Sequence, residues 1–356
     1  MTQATYPAPL VRHFVSALFQ AGRIPAADAD RVAECLVAAD LRGISSHGVG
    51  RVPIYLDRLR KGLVNPAPAM KVDRAMTVAA RVDGDNGLGF LVGTRAMDEA
   101  VVIARAHGLG FVLAHHSNHF GMAASYLMQA VEAGLAAFVF TNASPAMPIW
   151  GGRTPFLGTS PFAFGAPAGP DRPAVVLDMA MSVVARGKVR RAMQRGEPIP
   201  LGWALDAEGR PTTDAKAGYE GVVLPLGGVK GSGLSLMMEI LAGVMSGAAF
   251  GGEVRNQYFD LDAPQNVGHC FIAIRPDLFM PMAEYDTPMA ALSHRAKAGE
   301  RAEGVDEILL PGEPEHRTAL RREAGGIPLD AQELAQLVSE ADASGVAVPP
   351  ELRAAA

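Results

Sequence analysis

His47 lies in the run Gly43-Ile44-Ser45-Ser46-His47-Gly48-Val49-Gly50-Arg51. An imidazole has an intrinsic pKa of about 6.5, so it can give or take a proton near neutral pH. Ser46 beside it can share a hydrogen bond and act as a relay. Arg51 is a cation whose two-pronged guanidinium matches a carboxylate, and a helix starting there would add its positive end. A proton carrier next to a carboxylate anchor is what chemistry at C2 of a 2-hydroxy acid needs. A loop histidine followed by a capped helix would use the same residues, so this run alone leaves both readings open.

Three further clusters carry chemistry. His115-His116-Ser117-Asn118-His119-Phe120-Gly121 holds three histidines, which raises a metal site. No HExxH accompanies them, and strand alternation is expected to put His115 and His116 on opposite faces. The other reading is a strand-to-helix turn whose backbone N–H groups hold an anion, with Asn118 and His119 adding hydrogen bonds. Leu177-Asp178-Met179-Ala180 places an acid at a strand end, where open α/β sheets take ligands; Asp178 could equally cap the next helix. Gly227-Gly228-Val229-Lys230-Gly231 sets a lysine in a glycine loop before an apolar helix, an arrangement suited to an anion or to a plain turn.

Two nucleotide signatures are missing. Gly87 and Gly89 begin a GxGxxG-like run, but the third glycine, Gly93, comes one residue late and no acid follows at the expected distance. That stretch reads as a turn before a helix. Gly187-Lys188 is followed by Val189 rather than a hydroxyl residue, so no Walker A loop exists there.

The elements that must carry these residues follow from periodicity. Residues 1–65 read as helical, with Pro53 in the first turn of a helix. Asn65 to Val72 reads as a linker. Beyond about 75, short β-rich runs (TVAARVDG, GFVLAHH, AAFVFTN, PFAFGAP, AVVLDMA, CFIAIRP) alternate with helical stretches. This predicts an α/β layer structure with a largely covered sheet. Residues 301–317 read as a loop with a turn at PGEP, and the tail ends on an amphipathic helix.

Composition sets the limits. The chain has 356 residues, 49% hydrophobic and 19% charged, with net charge −5. A sizeable core is expected, and there is no electrostatic case for nucleic acid or an anionic membrane. Cys35 and Cys270 are far apart with no CxxC, so neither a disulfide framework nor a zinc ribbon is expected. The start lacks the features of a signal peptide, and residues 233–250, interrupted by Glu239, read as a buried helix rather than a spanning one. A soluble, cytoplasmic protein is the expectation.

Taken in order, SHGVGR, NHFG, WGGRTPFLGTSPFAF, LDMAMS, GGVKGSGLSLMMEIL and LPGE resemble the malate/L-lactate dehydrogenase family of the second, non-Rossmann type, over roughly residues 8–345. The resemblance implies a three-layer α/β fold with a mixed sheet, of the sulfolactate-dehydrogenase type. It implies NAD or NADP as cofactor, a small carboxylate substrate and a homodimer. It also accounts for the missing GxGxxG. By resemblance, His47 is the proton donor and acceptor and Ser46 its relay partner. Arg51 holds the substrate carboxylate and Thr159 adds a second substrate contact. The implied cofactor contacts are His119, Phe120, Gly121, Met122 and Ala123, then Asp178, Met179 and Ala180, then Arg186 and Gly187. Val229, Lys230, Pro311, Gly312, Glu313 and Arg317 complete that set. The expected division is a helical region (1–75), a cofactor and substrate region (76–318) and a C-terminal helix packing back on the first (319–356).

Other readings stand beside this one. Cyclic-imine (Δ1-pyrroline- or Δ1-piperideine-2-carboxylate) reductases of the family carry an acid where this chain has Lys188. A lysine would lower rather than raise an imidazole's pKa, so the position leans toward malate- and lactate-type chemistry. From a different class, His115, His116 and His119 could serve a metal-dependent hydrolase or lyase.

Overall fold

Residues 4–169 and 172–353 are described by the computed structural model. Three helices come first: α1 (Ala8–Ala21), α2 (Ala26–Leu41) and α3 (Val52–Arg60). In α2 the buried residues Ala29, Val32, Ala33, Leu36 and Asp40 recur every three or four positions, the stripe by which a helix packs. Asp40 therefore leaves water at the helix end, where the chain enters the SSHG run. Two short 3-10 turns, Ser45–His47 and Val49–Arg51, deliver the chain to α3. Pro53 sits in the first turn of α3, where its missing N–H costs nothing.

The sheet has seven strands: β1 (Lys71–Met76), β2 (Ala79–Asp83), β3 (Leu109–Ser117), β4 (Ala136–Thr141), β5 (Pro161–Ala166), β6 (Val175–Ala180) and β7 (Val267–Ile274). Their order is β1-β2-β3-β7-β4-β5-β6. Only β2 and β3 pair in parallel, and α4 (Gly89–His107) is their crossover; the other pairs are antiparallel. Alternate residues face opposite ways, as the pleat requires. Val112, Ala114, Val139 and Phe271 pack with α4 and α5 (Ala124–Glu132). Leu113, Phe140 and Cys270 pack on the other side with Val189 of α6 (Arg186–Arg195) and Met238 of α7 (Val229–Glu239). The result is the expected three-layer mixed-sheet architecture. After α8 (Met282–Lys297) and α9 (Glu313–Gly325), α10 (Ala331–Ser344) brings Leu334, Leu337 and Ala341 into one core with Phe14, Leu18, Leu36 and Leu56 of the first three helices.

Four expectations are corrected. The linker reading of 65–72 runs into β1, which pairs with β2; the line drawn after residue 75 falls inside that strand. The loop reading of 301–317 stops at Glu313, where α9 begins within PGEP. Residues 233–250 are not a buried helix. α7 ends at Glu239 and a π turn follows over Ile240–Val244. Leu234, Leu236, Met237, Ile240, Val244 and Met245 are all between 37% and 51% exposed. His115 and His116 do not point to opposite faces either. His116 has φ +48, a left-handed backbone that breaks strand alternation, and the two rings lie 4.2 Å apart. Among the described residues no helix is long and apolar enough to cross a membrane.

Candidate active site

The SSHG turn is pinned from below. Asp40 Oδ2 accepts the Val49 N–H at 2.8 Å, and Arg322 of α9 donates to the Asp40 carbonyl. A Cβ at Gly48 would lie 2.0 Å from Asp40 Oδ1, so only glycine lets the turn sit so close to that carboxyl. Above this anchor Ser46 Oγ and His47 Nδ1 share a hydrogen bond of 2.9 Å, which leaves Nε2 of His47 for a substrate oxygen. Arg51 donates from Nε to the Ser46 carbonyl. Its Nη1 is buried with no hydrogen-bond partner among the described residues. An unmatched guanidinium nitrogen is costly unless a ligand satisfies it, and a carboxylate fits that need.

Tyr55 follows Arg51 one turn along α3. Its hydroxyl shares a 2.8 Å hydrogen bond with His119 Nδ1, and the Gly121 N–H donates to the same nitrogen at 3.2 Å. That nitrogen is thus an acceptor, and the His119 proton resides on Nε2. The rings of His47 and His119 stack at 5.6 Å with 18° between planes. Burial, and then the nearby Arg51 charge, push the His47 imidazole down to about 3. The same causes, in the same order, hold His119 well below its usual value. Burial pushes the Tyr55 phenol up. Two neutral imidazoles and a protonated phenol surround one fixed cation.

The NHFG turn is held as firmly. Asn118 Nδ2 donates to the carbonyls of Asn86 (3.3 Å) and Gly87 (2.9 Å). The His119 N–H donates to Gln265 Oε1 at 3.2 Å. Phe120 stacks on His269 at 4.7 Å with 2° between planes. His269 is itself fixed between Thr141 Oγ1 (2.7 Å) and Ser117 Oγ (2.8 Å). Gly121 has φ +76, and a Cβ there would meet the Phe90 ring at 2.4 Å. Met122 and Ala123 are buried just before α5. Asp178 does cap a helix, but not the one that follows it in sequence: its Oδ2 accepts the Ala124 N–H at the start of α5, 2.8 Å away.

Earlier in the same strand, β6, the Val176 N–H donates to the Pro311 carbonyl at 3.0 Å, and Gly312, at φ +89, packs against Val176. Arg42 feels the charges of both Glu315 and Asp178. The SSHG, NHFG, LDMA and PGEP segments are therefore contiguous. Two charged members of the expected cofactor set are held in ion pairs: Lys297 Nζ donates to Glu313 (2.8 Å), and Arg317 pairs with Glu307 (2.6 Å). Met179 is half-buried and Ala180 exposed at the end of β6.

A second group, Thr159 just before β5 together with residues of α6 and α7, forms no hydrogen bond with His47 among the described residues. The Thr159 carbonyl accepts the Met181 N–H at 3.0 Å. Arg186 donates to the Tyr219 carbonyl at 3.1 Å and lies 5.0 Å over that ring; Gly187 beside it has open space. Val229 and Lys230 open α7, whose N-terminus has no side-chain cap and follows Gly228 at φ +64. Lys230 is exposed, with no ion pair among the described residues. A bare helix start with an unpaired lysine and a left-handed glycine suits a phosphate, so the residues present fit a dinucleotide.

The three histidines of 115–121 do not converge. His119 belongs with Tyr55 and His47, whereas His115 and His116 group with Asp83. Lys188 is exposed on α6, and the causes acting on His47 are burial and Arg51. Three residues of the site escaped the sequence reading: Tyr55, Asp40 and Gln265. Asp40 had a signal, an acid on the apolar stripe of α2. Tyr55 had only its spacing of four from Arg51. Gln265 acts from a loop far along the chain and left none.

Known proteins resemble this chain over nearly its whole length. The malate/L-lactate dehydrogenase family model matches residues 7–338. L-sulfolactate dehydrogenase of Methanocaldococcus jannaschii is 39% identical over 302 residues, 85% of this chain and 86% of that one. Its solved structure superposes with a TM-score of 0.90 at 36% identity, covering 96% of this chain and 98% of that one. The NADP(+)-dependent (2R)-3-sulfolactate dehydrogenase of Chromohalobacter salexigens is 39% identical over 87% of this chain and 89% of its own. The NAD(+)-dependent ureidoglycolate dehydrogenase of Escherichia coli K12 is 33% identical over 87% and 88%. A family model spanning residues 7–338 and relatives of this similarity show that the chain belongs to the malate/L-lactate dehydrogenase family.

Proposed function

We propose that the protein is an NAD(P)-dependent oxidoreductase that moves a hydride between nicotinamide and C2 of a small 2-hydroxy or 2-oxo acid. The observation that carries this reading is the buried, unpartnered Nη1 of Arg51 beside His47. Arg51 receives the carboxylate and so sets the C2 oxygen against His47. In oxidation the neutral His47 takes the hydroxyl proton as C2 loses hydride. In reduction protonated His47 gives that proton to the forming alkoxide. Ser46 fixes the ring through Nδ1, and the stacked His119, locked by Tyr55, keeps it from turning away. When bound, the nicotinamide supplies or accepts the hydride. The NHFG, LDMA and PGEP segments, with the start of α7 and Lys230, hold that dinucleotide. Thr159 gives the substrate a second contact.

The working unit in this reading is a homodimer, supported by the apolar face of α7 and the π turn that the monomer leaves in water. Contiguous apolar surface of this kind marks an interface. Both cysteines are free and buried, which suits the reducing cytoplasm.

The test is loss of reduced-nicotinamide absorbance with NADH or NADPH and a panel of oxaloacetate, pyruvate, sulfopyruvate, phenylpyruvate, a diketo sugar acid and the two cyclic imines. Straight-chain oxo acids are expected to turn over. His47→Ala should cut turnover by about 10² to 10⁴ and leave cofactor affinity unchanged. Turnover of the imines alone would replace this reading with the imine-reductase one, and near-normal turnover by His47→Ala would remove its proton carrier.

A further inference from the structure

The HHSNHFG run contains chemistry that hydride transfer does not use. Asp83 closes β2 and stands in register with His115 on the parallel strand β3. His116 follows in its left-handed conformation, which returns its ring to the same side, 4.2 Å from His115. Its Nδ1 lies 3.0 Å from Asp83 Oδ1. One donor atom from each of Asp83, His115 and His116 falls within 4.8 Å of the other two.

We propose that Asp83, His115 and His116 form a binding site for a divalent cation of the zinc class, separate from the hydride-transfer centre. Two imidazoles and one carboxylate make a borderline donor set, chosen by zinc and its neighbours over the oxygen-seeking magnesium and calcium. Three protein ligands leave room for water. Arg81 adds an opposing charge near His115, and the Asp83 carboxylate offsets it. The side chains of His116 and Asp83 are 52% and 41% exposed, which gives the ion a way in.

The site is wired to the reactive turn. The Gly84 N–H donates to the His115 carbonyl (2.9 Å) and the Asn86 N–H to the His116 carbonyl (2.8 Å). Asn86 in turn accepts from Asn118, the residue before His119. A bound ion therefore ties the ends of β2 and β3 to the segment carrying the NHFG turn.

The experiment uses the full, untagged chain after chelator treatment, with Zn²⁺ titrated by calorimetry and counted by metal analysis. One equivalent per chain is expected, with a rise in melting temperature that Mg²⁺ does not reproduce. Asp83→Asn and His116→Gln should each weaken the Kd by about tenfold or more, while His13→Gln, at an exposed histidine of α1, should not. Circular dichroism establishes that each variant is folded. No saturable uptake by the wild type would overturn the proposal, as would uptake unchanged in both His115→Gln and His116→Gln. Oxo-acid turnover by the metal-stripped chain reports on the dehydrogenase reading separately.

Discussion

Arg51 acts on His47 twice. Its charge adds to burial in holding the imidazole neutral, and in the proposed reaction its free nitrogen receives the carboxylate that cancels that charge. A neutral imidazole is the base that oxidation needs, so oxidation is lost only as pH falls through the His47 pKa. Removing Arg51 takes away a lowering influence, so the pKa rises and the acid limb moves to higher pH. Burial remains, and the shift is partial. Arg51→Leu should therefore show a raised KM for the hydroxy acid and an acid limb of kcat/KM displaced upward, read from pH–rate profiles. A limb that stayed in place would mean that Arg51 does not face His47. At this scale the sequence displayed His47, Ser46 and Arg51, because they adjoin one another along the chain. It concealed Tyr55, whose partner His119 is 64 positions away.

Among the elements, α2 decides where the SSHG turn can lie. Burial raises the Asp40 carboxyl to about 7, with the Val49 N–H and Arg322 working against that rise and Glu333 adding to it. An acid whose folded pKa lies above its unfolded value withdraws stability as pH climbs from about 4 to about 7. Asp40→Asn keeps an oxygen for the Val49 N–H and cannot ionise. Its melting temperature relative to wild type should therefore be more favourable at pH 8 than at pH 5. An equal change at both values would refute a charged, buried Asp40. Most strands were legible as short apolar, β-rich runs, since helical layers cover both faces of the sheet. β1 was not, because Pro66 and Pro68 precede it and all of its described side chains except Val72 are exposed. The turn of His116 was hidden for another reason: a left-handed backbone at histidine leaves no mark in residue type.

For the molecule as a whole, the exposed apolar surface of α7 and the π turn is the feature on which the proposed dimer rests. Sedimentation should find two chains per particle. Ile240→Glu, which places a charge amid Leu236, Met237 and Val244, should yield folded single chains. A wild-type particle of one chain would contradict the dimer. Periodicity showed that residues 233–250 are apolar but not which side neighbouring layers would cover, since a core face and an intersubunit face have the same composition. Fold class was readable through the order of motifs, whereas the layer assignments depend on pairings between distant strands.

The sheet order has a consequence for how the chain is made. β7 is the central strand, bonded to β3 on one side and β4 on the other, yet it is the last of the seven to leave the ribosome. Until residue 274 has emerged, β3 and β4 have no common neighbour, and each offers an open row of backbone donors and acceptors, the condition that invites mispairing. At roughly 5–20 residues per second, the stretch from the end of β4 to the end of β7 takes on the order of ten seconds to synthesise. The nascent chain must wait through that interval with two half-sheets and a gap between them, and the strand that closes the gap completes both faces of the core in one step.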